Sequence, residues 1–253
     1  MPVQNATQRF SSRVDTYVRF RPGYPPELLA LLRSECGLTP GSVIADIGSG
    51  TGKLSELFLE NGNRVFAVEP NLEMRTAAER LLAHHPGFNS IAAAAEATTL
   101  PAQSVNFVTA GQAAHWFDLG KAAAEFARIL KPEGWVVLVW NDRRMETPFQ
   151  KDYEEVLATY GTDYQEVRHE HTAARLPELF GHAAFQQRTL SMTQTFDYAG
   201  LEGRLLSSSY TPQPDDPHYQ PMLAALRDVF EKHNSQGKVE FEYWTRVFYG
   251  QLG

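Results

Sequence analysis

Cysteine is almost missing: Cys36 stands alone among 253 residues, which rules out an intrachain disulfide and a cysteine-built zinc site. A surplus of positive charge is missing too. Lys and Arg number 23 against 30 Asp and Glu, a formal net charge of −7, whereas a protein that grips a phosphate backbone carries a basic footprint. Nucleic acid is therefore not an expected partner. No apolar run nears the ~20 residues that cross a bilayer, and Met1 to Gln8 hold no apolar core of secretory type, so a cytoplasmic protein with no membrane contact is expected. Internal repeats and low-complexity linkers are lacking as well. What remains, 43% hydrophobic and 21% charged, is the balance of an ordinary globular domain.

The most informative stretch is Val43 to Lys53. Val43, Ile44, Ala45 and Ile47 make a short buried strand, and Gly48, Gly50 and Gly52 force a tight turn behind it. Lys53 to Glu60 then sets Leu54, Leu57 and Phe58 on one helical face. Glycine is required at such a corner because it reaches backbone angles closed to other residues and lets a ligand lie against the main chain.

Ahead of this corner, Phe10, Tyr17, Phe20 and Tyr24 alternate with Arg9, Arg13, Arg19 and Arg21, the pattern of a segment that packs on something. Pro26 opens a helix running to Cys36, and Gly37 ends it. Behind the corner, the pattern predicts strands at Arg64–Val68, Phe88–Ala93, Val105–Ala110 and Trp135–Trp140. Helices over 71–84, with Leu72, Ala77, Leu81 and Leu82 apolar, and over Leu119–Leu130 come between them. Lys131 to Gly134 reads as a turn. Strands separated by helices of this length form a mainly parallel sheet covered on both faces. After Asn141 the pattern changes to helices at Pro148–Tyr160, Gly200–Ser209 and Pro217–His233, with strands at Phe185–Phe196 and Val239–Tyr249.

The dinucleotide fingerprint wants a third glycine where Lys53 stands, and no Walker pattern can be written here. Asp46, two residues before Gly48, repels phosphate but suits a cationic amino group. The corner therefore fits a nucleotide without a pyrophosphate.

Asp46-Ile47-Gly48-Ser49-Gly50-Thr51-Gly52 resembles the glycine motif of class I S-adenosylmethionine-dependent methyltransferases. The resemblance runs from Val43 to Trp140 and implies a Rossmann-like seven-stranded, mostly parallel α/β sheet with an antiparallel last strand. It also implies cofactor roles: Glu69-Pro70 at the ribose, Met74 over the adenine, and Glu96 with Ala97 at the adenine edge. Three further stretches, Phe10-Ser11 through Tyr17, Arg21-Pro22-Gly23-Tyr24-Pro25 and Gly111-Gln112-Ala113-Ala114-His115-Trp116-Phe117, are similar to the small-molecule branch that includes trans-aconitate methyltransferase-like proteins. That likeness implies that the amino-terminal segment, with Tyr17 and Arg21, caps the cofactor and that the His115 loop faces the reacting methyl group. Glu133 stands where the broader family more often has glycine.

The expected activity is in-line methyl transfer to an oxygen (carboxylate or hydroxyl), nitrogen or carbon of a small molecule. A base is needed only where the acceptor must lose a proton, and His115 is the candidate for that catalytic role; packing of its loop is the alternative. Gln112 is a candidate contact for the methionine end. Tyr24, Trp116, Arg143 and Tyr210 are candidate acceptor contacts, with Arg144 as an alternative anion contact, whereas Arg204 reads as structural. No metal is expected: His84-His85 marks a helix end and His169-Glu170-His171 lacks companions. The competing readings are an NAD-dependent oxidoreductase and a non-catalytic S-adenosylmethionine-binding protein. One domain is expected, in three parts: a cap segment (1–37), a cofactor core (38–141) and an acceptor cap with the final strands (142–253), working as a monomer or homodimer.

Overall fold

The computed structural model describes residues 18–162, 172–181, 183–208 and 210–252, without the side chains of 172–174. Tyr17, His169 and His171 lie outside these residues.

Helix α1 (Glu27–Cys36) begins after Pro26 and stops at Gly37, whose φ of 68° closes the last turn. Then follow β1 (Val43–Ile47), α2 (Lys53–Glu60), β2 (Arg64–Val68), α3 (Leu72–Leu82), β3 (Phe88–Ile91) and β4 (Val105–Gly111). A 3-10 turn over Ala114–Trp116 leads into α4 (Leu119–Ile129) and β5 (Leu130–Arg143). The last part holds α5 (Pro148–Tyr160), α6 (Thr172–Phe180), β6 (Phe185–Phe196), α7 (Tyr198–Leu206), α8 (Tyr219–His233) and β7 (Val239–Gly250).

The seven strands lie in the order β3-β2-β1-β4-β5-β7-β6. Strands β1 to β5 pair in parallel, and β7 runs antiparallel to both β5 and β6. This is the expected fold. Alternation along the strands divides the apolar side chains between two faces. Val136 and Leu138 join Phe126, Ile129 and Phe180 on one face, while Val137 and Val139 join Leu28, Leu57 and Phe58 on the other. Helices α2 and α4 thus leave β1 and β4 toward opposite faces, which opens a crevice at the carboxyl ends of those two strands.

A third apolar cluster packs α5, α7 and α8 on the end of the β6–β7 ladder, around Tyr153, Leu157, Leu201, Leu205, Leu226 and Phe241. The pairing of β5 with β7 ends at Arg143 and Tyr243, yet β6 and β7 stay paired as far as Phe196 and Val239. The hairpin therefore runs past the carboxyl edge of the parallel strands, and its helices roof that edge.

Three expectations are corrected, and one helix is new. In α3, Leu72 and Leu81 are exposed, and the inward face is Met74, Ala77, Ala78 and Leu82; Leu72 lies about 200° around the helix from Met74 at 100° per residue. The turn at Lys131–Gly134 is a bulge inside β5: the pairing with β4 jumps from Leu130 to Trp135, and Glu133 takes a φ of 63° there. The third strand stops at Ile91, short of Ala93. Helix α6 was not foreseen, since Pro177 inside it is a breaker in isolation and is held here by the packing of Leu176, Leu179 and Phe180.

Candidate active site

Gly48 and Gly50 both take left-handed angles, φ 65° and 56°. A Cβ on Gly48 would sit 2.7 Å from the Ala113 Cβ and 3.4 Å from the Phe117 ring, so the loops after β1 and β4 lie directly against each other. A Cβ on Gly50 would meet only the Met74 Cε, at 3.7 Å. Met74, 5% exposed, thus lies beside the corner.

Glu69, at the end of β2, joins two loops. Its Oε2 accepts from the Gly50 N–H at 2.8 Å and its Oε1 from the Asn71 N–H at 2.8 Å. Burial raises its pKa, and these two bonds oppose the rise. Asp46 is buried, with Ser55 Oγ donating to Oδ2 at 2.6 Å and Thr109 Oγ1 donating to Oδ1 at 3.1 Å. Desolvation outweighs both hydroxyls and pushes its carboxyl up to about 7. Glu96 accepts from the Asp118 N–H at 2.9 Å and so ties the loop after β3 to the start of α4. Ala97 and Pro70 lie exposed beside their acidic neighbours.

Several buried polar atoms around the corner are left without a partner among the described residues: Ser49 Oγ, Thr51 Oγ1 and Gln112 Oε1. Gln112 takes a φ of 55°, and its Nε2 donates to the Asn141 carbonyl at 3.0 Å. Leaving such groups unmet costs about 1–3 kcal/mol each. Together with the acidic Asp46, Glu69 and Glu96, they suit a ligand rich in hydroxyls and cationic at one end. Lys53, at the third-glycine position, turns away: its Nζ donates to the Val18 carbonyl at 2.9 Å. S-adenosylmethionine fits this donor set; a pyrophosphate does not.

Residues 18–24 cross the carboxyl edge. Besides the Lys53 bond, Phe20 lies on Gly203 of α7, Arg21 Nη2 donates to the Ser207 carbonyl at 3.0 Å, and Asn141 Nδ2 donates to the Gly23 carbonyl at 2.8 Å. The Tyr24 hydroxyl packs against Gly111, the last residue of β4. Just beyond it stand His115 and Trp116, half-buried, their rings 4.8 Å apart.

Arg143, Tyr210 and Arg204 come together under the roof. Arg143 Nη1 donates to Tyr210 Oη at 3.2 Å, and its Nη2 donates to Glu154 at 2.9 Å. Arg204, 3% exposed, donates from Nε to Tyr243 Oη at 3.1 Å and from Nη1 to Ser208 Oγ at 3.4 Å, and its guanidinium lies 5.4 Å from the centre of the Phe241 ring. Burial resists ionisation of Tyr210, but Arg143, Arg21 and Arg204 outweigh it and draw the phenol down to about 7. Arg204, read from sequence as structural, is thus central to a charged cluster, and Tyr153, Glu154 and Tyr243 were not foreseen there. No local motif marks them; α5, α7 and β7 bring them together only after folding. Arg144 faces elsewhere, bonded to Glu242 at 2.5 Å and stacked on Trp244 at 4.3 Å.

Residues 45–138 match the family model described as a methyltransferase domain. An uncharacterized methyltransferase of Mycobacterium bovis is 34% identical over 201 residues, covering 79% of this chain and 76% of that protein. One from Schizosaccharomyces pombe is 30% identical over 58% of each. A structure from Anaeromyxobacter dehalogenans, assigned as a type II methyltransferase, superposes with a TM-score of 0.65 at 22% identity over 92% of this chain and 98% of that one.

Proposed function

This chain belongs to the S-adenosylmethionine-dependent methyltransferases, and from that premise we propose that it methylates a small organic acid seated between residues 18–24, the His115 loop and the roof helices. The observation that carries the reading is the meeting of three guanidiniums from separate elements around Tyr210: Arg143 Nη1 donates to its Oη at 3.2 Å, while Arg21 donates to the Ser207 carbonyl and Arg204 to Ser208 Oγ just before it in the chain.

When bound, S-adenosylmethionine would supply an electrophilic methyl group on a sulfonium. The chain's part is to bind and align. Glu69 would take the ribose hydroxyls, in charge-assisted bonds stronger than neutral ones. Met74 and Pro70 would hold the base, with Glu96 and Ala97 at its edge, and Gly48, Ser49, Gly50 and Gly52 would give the main chain close approach. Gln112 and Asp46 serve the methionine end, with Arg21 and Tyr17 closing the site. On the acceptor side, Arg143 and Tyr210 hold the anionic group, Tyr24 and Trp116 form walls, and His115 touches the reacting end. Alignment of this kind is worth about 7–11 kcal/mol of barrier.

In this reading residues 1–37 close the site, 38–141 hold the cofactor and 142–253 select the acceptor. Calorimetry with S-adenosylmethionine and S-adenosylhomocysteine tests the first half, and absence of binding would refute it. A screen of acidic and neutral metabolites coupled to S-adenosylhomocysteine release tests the second. Turnover confined to neutral acceptors would refute the anion pocket. His115→Ala should lower turnover on the acceptor found while leaving cofactor affinity within about twofold, since a group at the reacting end acts mainly on the transition state.

A further inference from the structure

Arg204 is the most deeply buried charge in the pocket under the roof. Arg143 has Glu154 at 2.9 Å, and Arg21 donates to a main-chain carbonyl, that of Ser207. Arg204 is different. Although 3% exposed, its hydrogen bonds end on two neutral hydroxyls, Tyr243 Oη and Ser208 Oγ. Tyr243 in turn donates to Gln194 Oε1 at 3.0 Å, so that hydroxyl is engaged as a neutral link. A second neutral group closes the pocket: Tyr153, 1% exposed, whose Oη has no partner among the described residues. A buried cation is stable only with a counter-charge, because leaving it uncompensated costs several kcal/mol. The titratable and charged groups come from every wall: Arg21 from the crossing segment, Arg143 from β5, Tyr153 and Glu154 from α5, Arg204 from α7 and Tyr243 from β7. Tyr210 sits among all of them, with its oxygen 3.2 Å from Arg143 Nη1.

We infer that Tyr210 is the pocket's built-in anion: its phenolate balances the guanidiniums until the anionic group of the acceptor takes over, and acceptor binding returns one proton to Tyr210 Oη. This rests on the organic-acid reading above and gives it a proton-linked entry step. The proton comes from solvent, the O–H bond forms on the phenolate oxygen, and no other bond changes. The pull of Arg143, Arg21 and Arg204, which draws the phenol down to about 7, agrees with that placement. For a ligand that binds only the protonated form, the dissociation constant grows as 1 + 10^(pH − pKa). Affinity then drops about tenfold between about pH 6 and about pH 8. Tyr210→Phe has no phenolate to displace, so its affinity should stay level over that range and exceed that of the wild type at the upper end.

The test is near-ultraviolet difference spectroscopy of the intact protein. Malonate, succinate and tricarballylate serve as probes and succinamide as the neutral control. The expected result is one tyrosinate titrating near neutrality, missing from Tyr210→Phe, shifted to higher pH in Arg143→Gln, and bleached by a carboxylate probe but not by succinamide. Calorimetry in two buffers of different ionisation enthalpy should show uptake of one proton. Absence of a tyrosinate below about pH 9, or carboxylate binding with unchanged absorbance, overturns the inference. If carboxylates still bind and are methylated in that case, the organic-acid reading survives it; if no carboxylate binds, both fall.

Discussion

Replacing Asp46 by asparagine should make this protein more stable at alkaline pH, although it removes a charged group with two good hydrogen bonds. Asp46 is 1% exposed and has the hydroxyls of Ser55 and Thr109 for partners; the charge that acts on it is the like-charged Glu69, which raises its carboxyl further. Desolvation is the leading cause of a carboxyl raised from 3.8 to about 7. The folded state therefore keeps a proton that the unfolded chain gives up between those values, and stability falls as pH rises through that window. At 1.36 kcal/mol per unit the full penalty is about 4 kcal/mol above neutrality and about 1.6 kcal/mol at pH 5. Asparagine mimics the protonated form but cannot accept from both hydroxyls with both atoms, a loss of about 1 kcal/mol. Asp46→Asn should thus be roughly level with the wild type at about pH 5 and ahead by about 3 kcal/mol at about pH 8. Urea unfolding followed by tryptophan fluorescence at the two pH values measures the difference. A deficit of the same size at both would refute the reasoning, since it would mean that the carboxylate is not ionising at the folded protein's expense.

Two other substitutions probe the frame around the site. Glu133→Gly should stabilise by about 0.5–1 kcal/mol in the same assay, because an L-residue at φ 63° carries about 1–2 kcal/mol of strain against glycine's smaller entropic cost; the bond from Gln251 goes to the Glu133 main-chain carbonyl and survives. Gly203→Ala drives a methyl into the Phe20 ring and should cost about 1–3 kcal/mol. In a double-mutant cycle with Phe20→Ala the two losses should not add, and additivity would mean that the ring does not rest on α7.

The glycine corner and the five parallel strands were legible because each rests on a local pattern: alternation, a cap, or a glycine where a turn demands one. Glu69, Met74 and Glu96 could be named only through the resemblance to class I methyltransferases, which implies cofactor roles at those positions, and the structure sets Glu69 and Met74 directly at Gly50. Legibility faded where tertiary packing overrides local preference. Pro177 sits inside a helix, Glu133 occupies a glycine-like angle within a strand, and Leu72 faces outward despite its type. The charged cluster was half visible. Arg143 and Tyr210 stood out in loops, but Arg204, Tyr153 and Tyr243 looked like ordinary members of two helices and a strand, and only the β6–β7 hairpin carries them to one point.

That hairpin has a consequence for how such a protein diversifies. The roof helices bury their apolar side chains in a cluster of their own, apart from the two layers that cover the sheet; the chain enters the roof near Arg143, leaves it after Tyr160 for α6 and β6, re-enters at Phe196 and leaves at Val239, each strand junction lying at the outer end of a paired strand. A roof built this way is modular. It can be exchanged or remodelled for a new acceptor while the cofactor corner, held by its own packing, keeps its shape.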